Sequence, residues 1–130
     1  LGRRPSTSPV RRFQARFEQD LPRLQELGLA HYHAWAFATT RQFGAAAELL
    51  SLHLRWLADA GGHDDLRPAA DRFQEVSGLA KTFILKAARA VNSRKPFDAA
   101  PLFDEMAGAW DGGMATLDQW AAAQPAGASA

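Results

Sequence analysis

From Leu29 to Ala60 the chain runs for more than 30 residues without a proline, and Gly61-Gly62 then closes the run. An apolar-rich stretch of that length, bounded by glycines, predicts one long α-helix or two helices meeting near Gly44. Projected at about 100° per residue, Trp35, Phe43, Leu49, Leu50, Leu52, Leu54, Trp56 and Leu57 spread over more than half of the circumference. A helix apolar on most sides is expected at the buried centre of a bundle. Composition agrees with an all-α domain. Alanine, the best helix former, occupies 27 of 130 positions, whereas Val, Ile and Thr together occupy nine. The 47% apolar content, with eight Phe and four Trp, suffices for a single core at this length.

Several function classes drop out on counts. A net charge of +1 provides no bulk attraction toward nucleic acid or an anionic membrane. The absence of Cys excludes disulfides, thiolate zinc sites and a cysteine nucleophile within these residues. No long uncharged apolar stretch or signal-type segment is present, so a cytoplasmic location is expected. The chain starts at Leu1 and not Met, and is read as a piece of a longer protein.

Residues 1–8 have the composition of a linker, residues 9–123 read as one helical bundle domain, and 124–130 as a frayed tail. Ser8-Pro9 is a good N-cap and first-turn pair. A helix carrying Val10, Phe13 and Phe17 is expected to stop at Asp20-Leu21-Pro22, with a short second helix running to Gly28. After the Leu29–Ala60 segment, Asp65 is the candidate cap of a third major helix, with Pro68 in its first turn and Phe73, Val76, Ala80, Phe83, Ala87 and Val91 along its inner face. The last helix starts with Asp98 as cap and Phe97 and Leu102 at hydrophobic-staple positions, and it buries Leu102, Phe103, Met106, Trp110, Met114, Leu117 and Trp120. The predicted fold is an up-and-down bundle of three long helices plus one or two short N-terminal helices.

Ligand-type residues do not fall at metal-binding spacings. His31 and His33 diverge on a helix, and no carboxylate or second His stands one turn from either, so neither metal nor cofactor is expected. Chemistry is instead suggested by a polar stripe on the long apolar segment. His33, Thr40, Arg41, Glu48, Ser51 and Arg55 fall within about a 100° arc that also holds Phe37 and Gly44. The stripe is either a solvated face or a network lining a cleft. On the third major helix Lys81 lies away from the main polar arc, which leaves it either snorkelling at the bundle edge or pairing with Glu48 across the helix interface. His33, Arg41, Glu48 and Lys81 are thus the candidate polar network.

Charge is also segregated along the chain. Arg3, Arg4, Arg11, Arg12 and Arg16 make the start basic, while Asp98 to Asp118 is uniformly acidic. The two segments either lie side by side or form a partner surface through Arg11, Arg12, Arg16, Asp104, Glu105 and Asp111. Nucleic-acid binding through the three arginines is disfavoured because no stacking aromatics share their face.

The run His33-Ala34-Trp35-Ala36-Phe37-Ala38-Thr39-Thr40-Arg41-Gln42-Phe43-Gly44-Ala45-Ala46-Ala47-Glu48-Leu49, followed by Leu54-Arg55-Trp56-Leu57, resembles the bacterial DUF1839 family. Ala80-Lys81-Thr82, Ala88-Arg89, Phe97-Asp98, Met106-Ala107 and Ala109-Trp110-Asp111 extend the likeness from about Pro9 to Trp120. The resemblance implies the C-terminal helical part of a longer protein, partnered by an N-terminal domain of the same polypeptide. Members accompany amino-acid:carrier-protein ligases and small acyl carrier proteins, and their layout is similar to butirosin-type acyltransferases with a papain-like N-terminal half. It therefore implies a helical accessory domain that helps position a carrier-bound aminoacyl or acyl group, with any nucleophile in the other half. The alternative is a structural or protein-interaction bundle without a catalytic role.

Overall fold

The computed structural model describes residues 8–124, and the expected linker and tail otherwise lie outside them. Among the described residues the chain is all-α, with no strand. Its helices are α1 (Pro9–Leu27), α2 (Leu29–Ala36), α3 (Gln42–Gly61), α4 (Arg67–Ser93) and α5 (Ala100–Ala123).

Local signals account for most of the helix ends. Ser8 caps α1, its hydroxyl accepting from the Val10 amide at 3.2 Å. Gly28 ends α1 at φ +91°, a region that favours glycine, and Gly62 ends α3 in the left-handed region. The cap position of α5 is Ala99, one residue beyond the expected Asp98, although the Asp98 carboxylate accepts from the Ala100 amide at 3.1 Å and Phe97 and Leu102 join one core cluster. The start of α4 differs from expectation. Asp65 lies in a single 3-10 turn, Asp64–Leu66, and Leu66 occupies the cap position with no side-chain cap bond.

Pro22 does not break α1. Proline deletes the amide bond to the Glu18 carbonyl, but both residues are exposed, so water can satisfy that carbonyl. Leu21 and Leu24, on either side of Pro22, pack on the core and hold the helix through the defect. The long segment does divide, but not at Gly44. A π-helical turn, Phe37–Arg41, joins α2 to α3, and the Thr39 hydroxyl donates to the Trp35 carbonyl at 2.8 Å within the widened backbone. Gly44 instead allows close packing, since a Cβ there would stand 3.2 Å from that of Ala80.

The central element is α4 and not the Leu29–Ala60 segment. α4 touches α1, α2, α3 and α5, and its Phe73, Val76, Phe83 and Ala87 are fully enclosed. α3 keeps one apolar flank in solvent, with Leu49, Leu52 and Trp56 exposed by 68%, 57% and 62%. The core has two larger clusters. One gathers Val10, Phe17, Tyr32, Phe83 and Phe103, and the other gathers Leu54, Leu66, Ala69, Ala70 and Phe73. Trp110 packs against both. Each buried Phe contributes about 1.5–3 kcal/mol through apolar area removed from water.

Candidate functional site

The outer seam between α3 and α4 opens into a groove of about 460 Å³. The π-helical turn and α3 place Thr40, Arg41, Gly44, Ala45 and Glu48 on one wall, and α4 places Ala80, Lys81, Ile84 and Leu85 on the other. A second depression of about 300 Å³ continues along the seam and shares Glu48 and Lys81 with the first. The groove exists because Gly44 and Ala80 bring the backbones together at its floor while longer side chains diverge above.

The polar stripe splits on this geometry. Thr40 is buried at 1% exposure, with its hydroxyl 3.4 Å from that of Thr39. Ser51 is buried at 3% and donates to the Ala70 carbonyl at 2.8 Å, a bond that ties α3 to α4. Arg55 spans the same two helices through Asp71 at 2.7 Å and Gln74 at 2.5 Å. Ser51 and Arg55 thus serve the α3–α4 interface, while Thr40 is a buried part of the groove wall. Arg41, Glu48 and Lys81 are exposed and line the groove together. Among the described residues no ion pair joins Lys81 to Glu48.

His33 is not brought to the groove. It is exposed on α2, its ring 5.7 Å from Tyr32. The single stripe presupposed uniform α geometry from His33 to Arg55, whereas a π-helical turn inserts the equivalent of one residue and shifts register by about 100°. Sequence reading also passed over Ala45, Ile84 and Leu85, which supply apolar walls and carry no polar signal.

The segregated charges lie side by side in part. Arg11 on α1 donates to Asp104 on α5 at 2.8 Å and to Gln14 at 2.8 Å, while Arg16 donates to Asp20 at 2.9 Å. The Trp35 indole N–H donates to the same Asp20 carboxylate at 3.2 Å. Arg12, Glu105 and Asp111 are exposed.

Elsewhere, Tyr32 is fully buried, and its hydroxyl donates to the Ile84 carbonyl at 2.7 Å, anchoring α2 on α4. Burial drives its phenol well above the ordinary tyrosine range. Arg67 is pushed further up by its bonds to Asp59 and Asp64, which close the loop between α3 and α4. Among the described residues no three His, Asp or Glu gather around a common point, and no helix is long and apolar enough to cross a membrane.

What the groove offers chemically is a shallow apolar slot with two cations and one carboxylate at its edge. Such a slot can hold an apolar chain while Arg41 or Lys81 meets an anionic or carbonyl group. No curated protein and no solved structure matches the chain. The sequence profile of the DUF1839 C-terminal domain matches residues 1–119, which takes in the N-cap of α1, the π-helical turn, both groove walls and nearly all of α5, and the chain therefore belongs to that family.

Proposed function

We propose that this chain is the helical accessory domain of a longer protein, that its α3–α4 groove faces the N-terminal domain, and that the groove helps position an acyl or aminoacyl group delivered on a carrier protein. The observation that carries this reading is the convergence of Arg41, Glu48 and Lys81 on a groove whose other walls are Thr40 and the apolar Gly44, Ala45, Ala80, Ile84 and Leu85. Apolar walls suit the acyl chain, and the cations suit its carbonyl or an anionic group on the carrier. In this reading the domain supplies position, and the absence of cysteine rules out a thiol nucleophile within it. The carrier and the transfer rest on the family resemblance, an argument by analogy.

The test mixes the longer protein with its loaded carrier and follows loss of the acyl group by mass spectrometry. Lys81→Met is expected to slow that loss by at least about tenfold, the effect of losing roughly 1.4 kcal/mol of contact. An inert wild-type protein, or a fully active variant, overturns the reading. A second reading, a bundle that serves only structure or protein interaction, is favoured by the exposure of all three charged groups. It predicts unchanged transfer in the variant and impaired association with a partner.

A further inference from the structure

Leu49, Leu52 and Trp56 lie on one exposed stripe of α3, and Ala45 extends it by one turn. Their spacing of four, three and four residues is that of a coiled-coil seam, with Leu49 and Trp56 at one core position and Ala45 and Leu52 at the other. Glu48 and Arg55 flank the seam on one side, and Ala46 and His53 flank it on the other. Exposed apolar residues at this spacing call for a helical partner.

We infer that this stripe pairs with the same stripe of a second copy, in antiparallel orientation about a two-fold axis near Leu50. That arrangement is self-complementary. Leu49 faces Leu52 of the second copy, and Ala45 faces Trp56, a small residue against a large one. Glu48 comes beside Arg55 of the second copy, whose guanidinium holds Asp71 and Gln74 through a single nitrogen and has further N–H groups to offer, and the symmetry repeats every contact. Size tells against the parallel alternative, which would set Trp56 on Trp56 and leave a void between two Ala45 side chains, and the antiparallel one alone sets Glu48 against Arg55. Antiparallel pairing also brings Trp56 of the second copy over Ala45, a residue of the groove wall. A single helix pair makes a small interface, below the roughly 1,200 Å² of a standard one, and a weak dimer with a dissociation constant on the order of 10 µM is expected.

The cysteine-free chain makes the orientation testable. Sedimentation of the 130-residue chain is expected to show a concentration-dependent dimer, and Leu52→Glu, at an exposed position, should weaken it by about a hundredfold while leaving unchanged the melting temperature measured at concentrations where both chains are monomeric. Under mild oxidation, an Ala45→Cys chain mixed with a Trp56→Cys chain should give a disulfide-linked heterodimer, whereas neither alone should link. A monomeric wild-type chain, or linking by Ala45→Cys alone, overturns the inference. The longer protein must dimerise as well. A monomer there assigns the stripe to the N-terminal domain and likewise overturns the proposal.

Discussion

Three residues carry consequences that the amino-acid string only partly announces. Tyr32 is the one tyrosine, so tyrosinate absorbance reports on it alone. Its phenol ionises more readily in the unfolded chain, near pH 10.0, than in the folded one, where burial holds it neutral. Stability is therefore expected to be level below that pH and to fall as pH rises through it. Tyr32→Phe should flatten the alkaline loss in urea titrations, and an unaltered slope would contradict this. Gly113 lies under Phe73, and a Cβ there would stand 2.9 Å from the ring. Phe73 is fully buried against Trp110 and has nowhere to move, so Gly113→Ala is expected to cost about 1–3 kcal/mol in denaturant unfolding. Trp120 has a buried indole N–H without a partner among the described residues, although its ring packs on the core. Trp120→Phe should leave stability unchanged or raise it slightly, while Trp120→Ala should lower it by about 3–5 kcal/mol. The apolar role of Trp120 was legible from helical spacing. The orphan donor was not, because spacing says which face is inward and nothing about partners on neighbouring helices.

At the scale of the helix, the signals that held were those acting within one turn, such as Ser8 before α1 and Gly62 after α3, while Asp98 marked the start of α5 to within one residue. Pro22 misled because its penalty is local while the compensation, burial of Leu21 and Leu24, comes from other helices. Pro22→Ala restores the missing amide at an exposed site and is expected to stabilise by about 1–3 kcal/mol, read as a higher melting temperature. A fall would mean that the ring itself is needed. The position of α3 misled for a different reason. An apolar circumference reports that a helix requires partners on most sides, without distinguishing partners inside the domain from partners outside it. α4, with its smaller residues such as Ala80 and Ala87, takes the centre because small side chains let four helices approach. Arg41, Glu48 and Lys81 were identified from sequence as odd polar groups. Their convergence, and the loss of His33 from the set, depended on a π-helical turn that no spacing rule marks.

Across the molecule, Trp110 is the joint between the two core clusters, with its ring 5.2 Å from Phe73 and 6.0 Å from Phe43. Trp110→Ala is expected to cost about 3–5 kcal/mol and to uncouple the two ends. The check is whether far-UV and near-UV unfolding curves, coincident in the wild type, separate in the variant. The π-helical turn gains meaning at the same scale. Tyr32 fastens α2 to the Ile84 carbonyl, and Gly44 seats α3 on Ala80, two points one turn apart on α4. An unbroken α-helix would bring its Tyr32 face round in the wrong phase for the first fastening once the second was made. The surplus residue between Phe37 and Arg41 is taken up by the wider turn, so deleting Ala38 should leave an unbroken α-helix that keeps both moorings in phase, whereas inserting a further alanine there should cost one of them.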